Sequence, residues 1–210
     1  MNTEIVPASE ISRALEILRK GGIVAFPTDT VYGLGALAFD NAPIESIYTA
    51  KDRPLEKAIP ILIGDLSDLD RIGSDIPEMA LRFAERFWPG PLTCVIPKKS
   101  TLPPAKKSTL PPAISATSTV AVRIPNHPDA LALLRAAGPM AVTSANISGA
   151  QNPLTAQDVY EQLQGRIPII LDGGKTPGGI PSTLVDCTGE KPVILREGPI
   201  TLENLISTLR

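Results

Sequence analysis

Ile23-Val-Ala-Phe-Pro-Thr-Asp-Thr-Val-Tyr-Gly-Leu-Gly35 changes character part-way: four apolar residues give way to hydroxyls, a carboxylate and two glycines. An apolar run this short reads as a buried strand, and the polar, glycine-rich stretch after it as the loop at its end. Thr28 and Thr30 stand beside glycines there, which lets a small ligand approach the backbone closely. The pattern returns further along. Thr143-Ser-Ala-Asn-Ile-Ser-Gly149 directly follows Met140-Ala-Val142, so it too falls at a strand end, the usual place for ligand groups in an open α/β sheet. Between these two lies Lys51-Asp-Arg-Pro-Leu-Glu-Lys57, with three cations in seven residues. Arg grips a phosphate or carboxylate in a fork and Lys adds a point charge, so this is an anion-recognition layout.

The remaining elements alternate around these segments. Ile11, Ala14, Leu15 and Leu18 share one helical face between Ser9 and Gly21-Gly22. Strands are expected over 23–26, 59–63, 92–96, 120–124, 140–143, 167–171, 183–186 and 193–196. A helix capped by Asn41 and carrying Ile44, Ile47 and Tyr48 delivers Lys51 and Arg53 at its C-terminal end. Pro77 opens another helix with Met79, Ala80, Phe83 and Phe87 inward, ended by Trp88-Pro-Gly-Pro91. Further helices are expected over 129–137, 155–164 and 201–209. The alternation gives an α/β (α+β) domain, and several successive short strands argue for an open mixed sheet of about seven or eight strands. With 210 residues the chain suits a single domain over 1–210.

Composition narrows the function. Twenty basic and 22 acidic residues leave a net charge of −2, so the global field points neither to nucleic acid nor to an anionic membrane. No run approaches the roughly 18 apolar residues of a membrane span, and the N-terminus lacks a leader pattern; a cytoplasmic protein is expected. Cys94 and Cys187 show no metal spacing and read as small buried hydrophobes. His127 is the single histidine, so histidine-rich zinc sites are excluded, and no nucleophile signature accompanies it. One segment departs from its surroundings: residues 98–105, Lys-Lys-Ser-Thr-Leu-Pro-Pro-Ala, recur letter for letter as 106–113. Lysine with Pro-Pro favours an extended, solvated loop.

Some signals have ordinary explanations. Gly33-Leu-Gly-Ala-Leu-Ala38 fits a dinucleotide fingerprint on letters, but its glycines come seven residues after the strand and not in its tight turn. Gly174-Lys-Thr176 imitates the end of a phosphate loop without the first glycine or a following helix. Lys51 and Arg53 also complement a helix dipole. Arg123 and Arg196 end apolar strands and need counter-ions, for which a carboxylate such as Asp186 could serve. Ser144 and Asn146 are ordinary turn residues, yet they point to the same side if the segment is extended.

The three opening segments closely resemble the YrdC-like family, whose members make threonylcarbamoyl-adenylate from threonine, bicarbonate and ATP. The resemblance runs from about residue 11 to 198 and includes Thr119-Val-Ala-Val-Arg-Ile-Pro125, Ser182-Thr-Leu-Val-Asp186 and Ile194-Leu-Arg-Glu-Gly198, in the family's order. It implies the family's twisted open sheet. It implies that Thr30, Arg123, Ser144 and Ser182 face the threonine, with Arg123 toward its carboxylate. Lys51 and Arg53 are then the catalytic Lys-x-Arg pair, and ATP contacts come from these two with Lys57, Thr119, Asn146 and Arg196. Leu62 stands where some members carry a histidine that contacts threonine. The ending at Arg210 looks like the family's short form, without an additional C-terminal domain.

The reaction implied is carboxylation of the threonine amine by bicarbonate or carbon dioxide, then attack of the carbamate on the ATP α-phosphate. Mg²⁺ is expected with ATP, its ligands unassigned, and no organic cofactor is called for. The product would feed a tRNA-modifying threonylcarbamoyl transferase complex. Two alternatives stay open: a carbamoyl-adenylate step, as in hydrogenase-maturation proteins containing a similar domain, and a non-catalytic RNA-binding module or weak tRNA contact using Lys98, Lys99, Lys106 and Lys107. The absence of interleaved aromatics in that segment speaks against the second.

Overall fold

The computed structural model describes residues 1–99, 114–115 and 117–210; the tandem repeat, expected to form a loop over 98–113, lies outside them apart from its first two lysines. In chain order the elements are β1 (Glu4–Pro7), α1 (Ile11–Arg19), β2 (Val24–Phe26), β3 (Gly33–Leu37), α2 (Asn41–Lys51), β4 (Ile61–Leu62), α3 (Leu69–Ile72), α4 (Glu78–Phe87), β5 (Leu92–Pro97), β6 (Thr119–Arg123), α5 (Pro128–Ala137), β7 (Met140–Ser144), α6 (Ala156–Leu163), β8 (Ile169–Asp172), β9 (Thr183–Asp186), β10 (Val193–Arg196) and α7 (Leu202–Thr208). Among the described residues no helix is long and apolar enough to cross a membrane.

The strands form one open sheet in the order β1-β8-β2-β3-β7-β4-β6-β5-β9-β10. It is mixed, as expected: β1–β8, β8–β2, β4–β6 and β5–β9 are parallel, and the other neighbours antiparallel. Among the described residues ten strands replace the expected seven or eight. β1 lies at the sheet edge and buries only Val6, so it carries no alternation to read. β3 contains two glycines and resembles a loop in sequence, yet it lies between β2 and β7 in the middle of the sheet. Close packing explains those glycines. A Cβ on Gly33 would stand 2.7 Å from Val142 Cγ1, and one on Gly35 3.0 Å from Met140 Cε. The fingerprint glycines are therefore ladder residues, and the polar stretch from Pro27 to Tyr32 connects two paired strands.

Helices cover the two faces unequally. On one face Ile44, Ile47, Phe83, Val159 and Leu205, from α2, α4, α6 and α7, pack on strand residues such as Leu34, Ile61, Cys94, Val122 and Val185. Each large apolar side chain buried this way contributes about 1.5–3 kcal/mol. On the other face α1 and α5 set Ala14, Leu18, Leu133 and Leu134 against Phe26, Met140, Ile169 and Leu171. That second cluster contains no residue of β6, β5, β9 or β10. Among the described residues half of one sheet face is thus left without a helix, and the candidate site lies there.

Candidate active site

The uncovered half-face floors a cavity of about 500 Å³. Strand alternation decides what it displays: Cys94, Val122 and Val185 enter the core, so Thr93, Val95, Ala121, Arg123 and Leu184 face the cavity. Its walls come from the 28–33 segment, the stretch after α2, the end of β7, and residues 181–182 before β9. Three guanidiniums, Arg53, Arg123 and Arg196, line it, and no carboxylate does among the described residues.

Arg123 is buried, and its side chain is committed on three sides. Nε donates to Gly90 O at 2.8 Å, Nη1 to Thr30 Oγ1 at 3.0 Å, and Nη2 to Asp29 Oδ1. Asp29 Oδ1 also accepts the Asn126 amide at 3.0 Å. The counter-ion is therefore Asp29 and not Asp186, whose Oδ1 instead accepts the Thr188 amide and hydroxyl. Burial holds the Arg123 guanidinium below its usual value, with Asp29 opposing and Arg196 adding to the shift. Two of its five N–H groups remain for a ligand. Thr30 is joined to Thr28 at 3.0 Å, and Thr28 Oγ1 donates to Val31 O at 2.7 Å, which fixes the bend of the loop.

Arg53 follows the left-handed Asp52 that ends α2. Its Nε donates to Lys57 O at 3.2 Å and its Nη2 to Ala58 O at 2.8 Å, with the guanidinium 6.0 Å from the Tyr48 ring centre. Arg196 is held alike: Nε and Nη2 donate to Ser182 O at 3.1 and 2.9 Å. Burial lowers both guanidiniums' values, and for Arg196 the charge of Arg53 lowers it further. Ser182 Oγ meets Thr93 Oγ1 at 2.7 Å and accepts from Arg196 Nη2 at 3.1 Å. Thr119 lines the cavity and pairs with Thr117 at 3.0 Å.

The structure thus brings Thr30, Arg53, Thr119, Arg123, Ser144, Ser182 and Arg196 to one cavity and leaves Lys51, Lys57 and Asn146 off its lining. The Lys57 side chain is exposed. The chain bends after Ser144 at the end of β7, so Asn146 does not share its side: it is buried, with Nδ2 donating to Ala150 O at 2.8 Å. Lys51 is 1% exposed, and burial, reinforced by the Arg53 charge, pulls its ammonium down to about 7. His127 is the residue before α5 and takes no part in the lining. Sequence reasoning missed Asp29 and Thr93. Thr93 did leave a signal, a lone hydroxyl within the apolar run 92–96.

The Sua5/YciO/YrdC family model, described as "Telomere recombination", matches residues 16–198. The chain belongs to this family. Within the Sua5/YciO/YrdC family it is 43% identical over 198 residues to the threonylcarbamoyl-AMP synthase of Bacillus subtilis (strain 168), covering 93% of this chain and 55% of that protein. Among solved structures, Pyrococcus abyssi Sua5 complexed with L-threonine matches with a TM-score of 0.89 and 41% identity, over 99% of this chain and 59% of that one. Escherichia coli YciO matches with a TM-score of 0.81 and 28% identity, over 97% of this chain and 98% of that one. The chain spans little more than half the length of the first two relatives.

Proposed function

We propose that the protein forms L-threonylcarbamoyladenylate and pyrophosphate from L-threonine, bicarbonate or carbon dioxide and ATP, for threonylcarbamoyl modification of tRNA. The observation that carries this reading is a cavity with three guanidiniums, a ring of hydroxyls and no lining carboxylate, in a member of a family with relatives named threonylcarbamoyl-AMP synthase. Such a lining suits two anions held side by side.

In the proposed reaction the threonine amine bonds to the carbon of carbon dioxide and gives up a proton, or to that of bicarbonate with loss of water, and becomes a carbamate. A carbamate oxygen then attacks the ATP α-phosphorus. The bond from that phosphorus to the bridging oxygen breaks, and pyrophosphate leaves with the electron pair. No covalent nucleophile is required, so the work is positioning and charge neutralisation. Arg53 and Arg196, neither with a carboxylate partner among the described residues, take the phosphates. Arg123, neutralised by Asp29, offers its remaining N–H groups to the threonine carboxylate. Thr30, Ser144 and Ser182 supply hydroxyls to the amino acid and Thr119 one to the nucleotide. Asn146 meets the nucleotide only by turning from its place behind the wall, and Lys57 reaches phosphates that extend beyond the rim.

Mg²⁺ is expected to arrive on the nucleotide. Hard-cation sites in proteins use carboxylates, and the lining has none among the described residues, so no residue is assigned to the ion and no step runs through it. The reading places the protein in the cytoplasm, supplying a separate transferase complex. Pyrophosphate release from ATP tests it: release should require threonine and bicarbonate together. Equal release with carbamoyl phosphate and no threonine would favour the carbamoyl-adenylate reaction instead.

A further inference from the structure

We propose that Lys51, which the family resemblance assigns to catalysis and the nucleotide, is a positioning residue that builds the Ser144 wall of the cavity. It is the last residue of α2, and it touches the end of β7 and the turn that follows. Its ammonium donates to Ser144 O, to Asn146 O at 2.5 Å and to Asn146 Oδ1 at 3.3 Å. An ammonium has three N–H donors, and these three acceptors use them all. None is left for a phosphate.

The need for this strut follows from the backbone. At Ser144 the chain leaves the sheet ladder and turns inward, and carbonyls that turn inward without a ladder partner must find another donor. Lys51 supplies it for Ser144 and for Asn146. Its own carbonyl accepts the Ser148 amide at 2.8 Å, so one residue ties both halves of the turn. Asn146 Nδ2 to Ala150 O and the Ile147 amide to Gln162 Oε1 at 3.2 Å complete the set. Ser144, which lines the cavity, is thereby fixed through its backbone, leaving its hydroxyl to the ligand. An arginine or a shorter chain would not place three donors at one point, which gives a reason for lysine here.

The strut stands on the ligand-free geometry, whereas its effect on substrates rests on the proposed reaction. Lys51→Met keeps the unbranched stem as far as Cε and removes every donor. Amide hydrogen exchange of the ligand-free protein at pH 6.5 should then rise at least tenfold over residues 144–150 relative to the rest of the chain. Threonine affinity, measured by calorimetry, should fall tenfold or more, and Lys51→Arg should restore part of both. Lys51→Gln, with two donors, replaces the Met variant if that does not fold, with the same outcomes expected at smaller size. Unchanged exchange over 144–150 together with a loss confined to ATP affinity would make Lys51 a phosphate contact and overturn the proposal. A uniform rise along the whole chain would overturn it as well, making Lys51 a residue of core stability. Failure of wild-type pyrophosphate release would remove the reaction while leaving the exchange result to decide the strut.

Discussion

Arg53 and Arg196 are aimed before any ligand arrives, because in each the Nε and Nη2 edge is taken by backbone carbonyls. A lysine keeps the charge but not this tether. Arg53→Lys should therefore lower turnover or ATP affinity by about tenfold or more, the equivalent of roughly 1.4 kcal/mol of a charge-assisted bond, and Arg53→Ala should lower it further. The ligand-free melting temperature should move little, since the side chain packs on the surface of Tyr48 and not inside the core. Full activity in both variants, or unfolding of Arg53→Ala, would contradict this. Lys51 gives a pH test. Its folded value of about 7 lies below the ordinary 10.5, so between these limits the unfolded chain holds a proton that the folded chain has released. Unfolding then takes up a proton, and stability gains as pH rises through this window. Urea midpoints of wild type and Lys51→Met at pH 7, 8 and 9 should diverge in favour of the wild type. Parallel curves would show that Lys51 does not titrate there.

Elements place the arginines as surely as their own bonds do. β10 joins the sheet edge with an irregular register between Ile194 and Arg196, which sets Arg196 opposite Leu184 and over Ser182. Just beyond it, a Cβ on Gly198 would meet Thr183 N at 2.3 Å and Pro181 O at 2.7 Å. These are backbone atoms and cannot yield cheaply. Gly198→Ala should cost about 1–3 kcal/mol by overpacking, seen as a lower urea midpoint at unchanged slope, and should reduce turnover by separating Arg196 from Ser182. An unchanged midpoint would mean that the strand end shifts freely. The helices were legible where their termini carry local chemistry: Thr155 with Asp158 and Thr201 with Asn204 form reciprocal caps, and both helices lie within one residue of their expected spans. β3 was not legible, because its glycines are demanded by Phe26, Met140 and Val142, side chains of other strands.

Across the molecule, the site exists because the sheet is wider than the helices on one of its faces. Ala121 lies on the open floor between threonines and arginines. Ala121→Trp should fill the cavity, abolish the thermal shift given by ATP or threonine, and leave the unliganded melting temperature within a few degrees; retained binding would place the ligands elsewhere. By itself the sequence determined the mixed α/β class, eight of the ten strands among the described residues, and three polar segments, one of them cationic. Those properties are local, written in the spacing of apolar residues and in cations at strand ends. Only the tertiary structure decided which cations stay free. Arg123 is neutralised by Asp29, 94 residues away, and Lys51 is used up by Ser144, 93 residues away, and by Asn146. Partners at such separations are brought together by the sheet order, which places β3 beside β7 and β4 beside β6. Hydrogen-bond valence then settles the rest, since a donor already satisfied inside the protein has nothing left to offer a ligand.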